Sequence, residues 1–164
     1  MQEGNILYAV CDGKWIIKFV GDIRYSVARG IQALIDEVVA DKNTADMLID
    51  LTQTEYIDST CLGLMAKLAS LLWNRCKKKI TLLSTNDNIN YLLDSIGFGD
   101  VFLIVDDAEA PLVRLNEIPK LGNDEIECAK IMLEAHRHLV KLNAKNANEF
   151  KDVVALLEKD LHLN

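Results

Sequence analysis

Basic charge is scarce in this sequence. Its 164 residues include 18 Lys and Arg against 25 Asp and Glu, a formal charge of -7. Nucleic-acid phosphates need compensating cations, so this balance argues against a nucleic-acid partner. Long apolar runs are missing too. None reaches the ~18 residues that a membrane span requires, and the opening MQEGNILYAVCDGK lacks the basic region and small-residue cleavage site of a signal peptide. The expected location is the cytoplasm, with no membrane partner. The four cysteines, Cys11, Cys61, Cys76 and Cys128, show no CxxC spacing. That speaks for simple thiols rather than a disulfide framework, with Cys61 close enough to a polar turn to be partly accessible. Histidine is absent before position 136. His136 and His138 are two apart, so on a helix they point to different faces and make a poor metal pair, and His162 stands alone. No metal or cofactor is expected. The sequence has no G-x-S-x-G and no glycine-rich phosphate loop. An enzyme using Ser59 or Cys61 as nucleophile would therefore need the C-terminal segment to fold over that corner to supply a histidine.

What remains is a chain half hydrophobic in composition, long enough for one domain with a sizeable core and an appendage. It is organised around residues 46–75. A continuous apolar run, Met47 to Leu51, reads as a central strand and feeds the polar turn TQTEYID. That turn ends in Asp58-Ser59-Thr60 at the start of an amphipathic helix with Leu62, Met65, Leu68, Ala69, Leu72 and Trp73 on one stripe. A hydroxyl is thus expected at the positive end of a helix dipole, just past the carboxyl end of a strand, where anions are favoured. Ser59 is equally suited to be the helix cap, as is Asp58. Arg75 and Lys77 to Lys79 follow at the other end of this helix, where cations oppose the dipole.

Around this corner the pattern is regular. Residues 6–10 and 14–20 are β-rich runs joined by Cys11-Asp12-Gly13, a hairpin signal, with Gly21-Asp22 expected to end the second. Val27, Ile31, Leu34, Ile35 and Val38 lie at helical spacing behind Ser26 as cap, and Asp41 to Thr44 close that helix. Ile80–Leu83 is a strand, Ile89–Ile96 a short helix stopped by Gly97, and Val101–Val105 a last strand. The order β-β-α-β-α-β-α-β predicts an α/β fold, a mixed sheet of about five strands with helices packed on it. Asp106, Asp107 and Glu109 read as a solvated charge run.

Past residue 110 the composition changes. Pro111, Pro119 and Gly122 mark a linker over 111–122, and residues 123–164 carry two helical patterns separated by an Asn-rich break at 143–148. The first seam runs through Cys128, Met132, Ala135, Leu139 and Leu142, with Ile126, Ala129 and Leu133 beside it. The second runs through Ala147, Phe150, Val154, Leu157 and Leu161. Narrow seams of this kind pair with other helices. The tail is therefore expected to be a helical hairpin packed on itself and on the unit 1–110, or on a second copy as a homodimer.

The segment IDLTQTEYIDSTCLGLMAKL, together with Leu82-Leu83-Ser84, Ile89 to Leu93, Ile96-Gly97 and Val101-Phe102, resembles the STAS domain of bacterial anti-sigma factor antagonists. The likeness spans roughly residues 5–107. It implies a STAS-like fold and a partner-switching cycle: an anti-sigma factor that is also a serine kinase phosphorylates the domain, and a PP2C-like phosphatase, in some pathways part of a response regulator, reverses it. By position Ser59 is the implied acceptor, with Thr60 a weaker second, and Asp22, Arg24, Asp58, Thr60, Cys61 and Leu62 form the implied partner-binding surface. The output would be an alternative sigma factor in stress, motility or biofilm control. The family often reads G-E-L-D where this chain reads Gly21-Asp22-Ile23-Arg24, so a cation replaces the second carboxylate. The tail resembles that of longer antagonists of biofilm and motility pathways. The alternative within the same family is a constitutive scaffold subunit of a complex such as a lipid transporter.

Overall fold

The computed structural model describes residues 4–109, 112–122 and 124–162, so Pro111 of the expected linker lies outside the described residues. The chain opens with β1 (Asn5–Cys11) and β2 (Lys14–Ile23), antiparallel in register from Asn5↔Val20 to Cys11↔Lys14. Asp12 and Gly13 turn the hairpin with φ of 50° and 80°, the left-handed pair that lets a two-residue turn follow the strand twist. There follow α1 (Ala28–Ala40), β3 (Asp46–Ile57), α2 (Ser59–Cys76), β4 (Ile80–Leu83), α3 (Asp87–Ser95) and β5 (Phe102–Val105). The remaining elements are β6 (Asn116–Glu117), α4 (Glu125–Leu142) and α5 (Ala144–Asp160). One sheet takes the order β5-β4-β3-β2-β1-β6, parallel from β2 to β5 and antiparallel at β1 and β6. Parallel neighbours are joined through helices, as βαβ connections require.

The sheet has six strands rather than about five. The sixth lies inside the segment read as a linker: Asn116 and Glu117 pair with Tyr8 and Leu7, and the Ile118 amide donates to the Ile6 carbonyl at 3.0 Å. Without them the outer edge of β1 would be unpaired, and Ile118 is buried against Gly30. Two strands also run further than expected. β2 continues through Gly21 and Asp22 by a register shift rather than ending there, and β3 continues through TQTEYI to Ile57. The polar composition of 52–56 suggested a turn. Leu51, Thr54 and Ile57 nevertheless point inward, and the Thr54 hydroxyl donates to the Phe19 carbonyl at 2.9 Å.

Ser26 is not the cap of α1. A 3-10 turn at Tyr25–Val27 leads into that helix, and its N-cap makes no side-chain bond. Arg75 also acts elsewhere than at its own helix terminus. Its guanidinium reaches the last carbonyls of α1, with Nη1 donating to Val38 O and Asp41 O at 3.0 Å each and Nη2 to Val39 O at 2.7 Å.

The tail packs as a hairpin on the α/β unit, one of the two arrangements the seams allowed. α4 lies against α2 and α1, and α5 lies outside it against α4. Ile131, Ala135 and Leu139 join the same apolar core as the sheet, and Leu133 is buried as well. Burying Ile131, Leu133 and Leu139 contributes roughly 1.5–3 kcal/mol each, an upper figure because an unfolded chain already hides some of that surface. The expected Asn-rich break is a single residue. Asn143 caps α5 by accepting from the Asn146 amide at 2.8 Å, and Asn143 and Asn146 both donate to the Ile96 carbonyl at the end of α3. Replacing Asn143 with Ala removes the cap and one of these donors. The expected loss is about 1–2 kcal/mol, read as a lower urea midpoint with unchanged slope.

Candidate functional site

β4 pairs with β3 only over Leu48 to Asp50. Beyond that point β2 and β3 continue as a two-stranded ribbon up to Ile23↔Ile57. Its tip carries the corner at which β3 becomes α2. The Asp58 amide donates to the Ile23 carbonyl at 2.9 Å, so the strand pairing fixes where the helix must begin. Asp58 is then the N-cap. Its Oδ1 accepts from the Cys61 amide at 2.9 Å and its Oδ2 from the Tyr25 amide at 2.6 Å. One carboxylate therefore holds the start of α2 and the turn leading into α1.

With Asp58 capping, Ser59 is the first residue of the helix and its hydroxyl is released from that duty. It does not point freely to solvent. Its Oγ lies 2.8 Å from Nε2 of His136 on α4. The Nδ1 of His136 is 2.6 Å from the Met132 carbonyl. A carbonyl only accepts, so in the neutral ring Nδ1 carries the proton and Nε2 accepts from the Ser59 hydroxyl. His136 is 3% exposed, with Phe150 of α5 edge-on to its ring at 5.6 Å. Ser59 itself is half-buried. The C-terminal segment does fold over this corner, and it brings a histidine with it.

Of the residues expected to bind a partner, Asp22, Arg24 and Asp58 lie at the surface or partly so, as does the expected acceptor Ser59, whereas Thr60, Cys61 and Leu62 are buried at 3%, 0% and 3% exposure. With the hairpin docked these three are therefore not surface residues, and Cys61 and Leu62 belong to the apolar core. Cys61, read from sequence as partly accessible, is sealed, and burial pushes its thiol well above the usual range, helped by the charge of Asp58 and a hydrogen bond with it. A neutral buried thiol is no nucleophile. Arg24 pairs with Asp22 at 3.7 Å and lies over the Tyr56 ring at 4.5 Å. Tyr25 and Tyr56 flank the corner in exposed positions.

Sequence reasoning missed Tyr25, Tyr56 and His136. For His136 a signal was available: it lies four residues after Met132 and three before Leu139, so it belongs to the apolar seam, and a polar residue in such a seam must find a partner there. His138, two positions on, faces Glu134 instead, at 3.9 Å, and burial together with Lys141 lowers its tendency to protonate. Among the described residues no group of three His, Cys, Asp or Glu is placed to hold a metal, and no helix is long and apolar enough to cross a membrane. A cavity of about 340 Å³ lies elsewhere, between Val38, Thr44, Leu72 and Arg75. Brief alkylation of the native protein with iodoacetamide should modify Cys11 and spare Cys61 when peptides are mapped by mass spectrometry; labelling of both at similar rates would contradict the sealed corner.

Two solved structures show the same fold over the α/β part. The anti-sigma factor antagonist SpoIIAA in its unphosphorylated form aligns with TM-score 0.53 at 15% identity, covering 63% of this chain and 89% of that one. The Bacillus cell fate determinant SpoIIAA in the phosphorylated form aligns with TM-score 0.51 at 16% identity, covering 63% and 92%. No curated protein sequence matches at a significant level. The family model of the STAS domain matches residues 5–110, which is the unit from β1 past β5 with Ser59 at its corner, and the chain belongs to the STAS domain family.

Proposed function

We propose that this chain is an anti-sigma factor antagonist whose partner is set by reversible phosphorylation of Ser59. The observation that carries the reading is the division of labour at the corner. Asp58 does the capping, so the neighbouring hydroxyl is left as a replaceable group at the positive end of α2. The same position in the family resemblance is the phosphate acceptor, and one of the solved relatives is described in both unphosphorylated and phosphorylated forms. The partners on this reading are an anti-sigma factor acting as serine kinase and a PP2C-like phosphatase, all in the cytoplasm, with an alternative sigma factor as the output.

The physics of the switch is local. A phosphoryl group adds about -1.5 to -2 charge and three acceptor oxygens. Asp22 and Asp58 already make the corner negative, and Arg24 partly offsets them through its pair with Asp22. One added charge ~5 Å from a partner carboxylate costs about 3 kcal/mol at an effective dielectric of ~20, on the order of a hundredfold in affinity. The exposed Tyr25 and Tyr56 and the Arg24 guanidinium supply the residue types that anchor protein interfaces.

The Ser59–His136 contact also has nucleophile-to-base geometry. The third member is a backbone carbonyl rather than a carboxylate, and the ring is closed in by Phe150. These features support a binding protein over a hydrolase. In a pull-down from the native cell, Ser59→Ala should retain the partner that wild type captures and Ser59→Asp should lose it. Equal capture by both variants would remove the switch.

A further inference from the structure

The proposed modification site is also a place where the C-terminal hairpin touches the STAS unit directly. At Gly63, one turn beyond Ser59, α2 has no side chain because the α4 backbone occupies that space: a Cβ there would collide with the Ala135 carbonyl. Next along α2, Lys67 meets Glu134 at 2.8 Å. Ser59, Gly63 and Lys67 are spaced by four, so they form one line on α2, and α4 answers it with His136, Ala135 and Glu134 in reverse order. The three contacts are a hydroxyl to an imidazole, backbone against backbone, and an ion pair. A protein that docks on this line of α2, or a kinase that draws the Ser59 hydroxyl into its active site, must take the place that α4 holds.

The rest of the hairpin is built for this contact to be breakable at one end. The turn between α4 and α5 is fixed to the α3 terminus by Asn143, Asn146 and the Lys145 ammonium, the last donating to the Ser95 carbonyl at 3.0 Å. At the opposite end the tie is through the segment before α4, where Arg29 donates to the Gly122 carbonyl, rather than through the helices themselves. Residues 124–127 are exposed, and in α5 only Asn146 is buried.

We propose that α4 is an intramolecular competitor for the surface around Ser59, held down by the unmodified hydroxyl and loosened when that hydroxyl becomes a phosphate ester. This rests on the reading of Ser59 as the phosphorylated residue. Transfer of the γ-phosphoryl group of a nucleoside triphosphate forms the Oγ–P bond and breaks the bond from phosphorus to the diphosphate leaving group. The hydroxyl proton goes to the kinase's base. The proton that His136 accepted is then gone, and a tetrahedral dianion stands where a single hydrogen bond of 2.8 Å had fitted. α4 cannot slide aside along α2, because the Gly63–Ala135 contact leaves no room, so it is displaced outward about its anchored turn. Phosphorylation on this account does two things at once: it repels the old partner and uncovers the α2 face.

Hydrogen–deuterium exchange of the full chain tests this without kinase or partner. Ser59→Asp should make amides of residues 131–139 exchange at least roughly tenfold faster than in wild type, with residues 46–51 and 80–83 of the sheet unchanged. Gly63→Ala, which pushes on Ala135, should do the same, and Ser59→Ala, which removes the hydrogen bond without adding bulk or charge, should have a smaller effect. If Ser59→Asp loosens the sheet as well, the chain carrying phosphoserine at position 59 replaces it, with the same expectation. Exchange in 131–139 that is unchanged or slower overturns the competitor and leaves the phosphorylation reading standing. Faster exchange in a protein whose Ser59 is never phosphorylated in the cell would instead overturn only that reading.

Discussion

Asp58 joins three pieces of chain with one side chain and one amide. Its backbone N–H ends the β2–β3 ribbon at Ile23, one carboxylate oxygen starts α2 at Cys61, and the other receives the Tyr25 amide that leads into α1. Each of these groups would otherwise be an unsatisfied terminus. A charge-assisted cap of this kind is worth on the order of 1–2 kcal/mol. Its larger consequence is geometric, because it fixes which residue becomes the first of the helix. Ser59 inherits that position with nothing structural left for its hydroxyl to do inside the STAS unit. That spare hydroxyl is what a covalent modification can use without disturbing the STAS unit itself.

The hairpin then adds what a bare STAS unit lacks, a second occupant for the same corner. Its hold is mainly hydrophobic, from Ile131, Leu133 and Leu139, while its specificity comes from His136, Ala135 and Glu134 facing Ser59, Gly63 and Lys67. Apolar burial is non-directional and would tolerate a slip along the helix. The hydroxyl–imidazole contact would not. The two contributions are therefore separable, and a change at one oxygen can alter the docking of α4 while most of the buried area still favours contact.

Much of this was legible in the residues, and the failures have a common cause. The helix periodicities, the Asp12-Gly13 hairpin and the family signature around Ser59 all depend on neighbours in sequence, and they led to the mixed sheet and to the corner. What depended on distant partners did not show. The stretch 52–57 is polar because only β2 pairs with it and much of it faces water, so it resembles a turn. β6 is two residues held by β1 and has no periodicity to detect. Whether Ser59 or Asp58 would cap α2 was undecidable locally, since the answer is set by Ile23 across the ribbon. The nearness of Cys61 to a polar turn suggests access, while its burial comes from elements elsewhere in the chain. Likewise the seam of α4 announced a helix that needed a partner, but not that α2 would be that partner or that His136 would land on Ser59.

The central claim is that charge on one side-chain oxygen decides which protein docks at this corner. The most direct measurement is calorimetric titration of the captured partner into two preparations of the full chain, one unmodified and one with phosphoserine at position 59. The account predicts binding weaker by about a hundredfold in the phosphorylated chain, the cost of one added charge at interface distance. Equal affinities for the two preparations would contradict it.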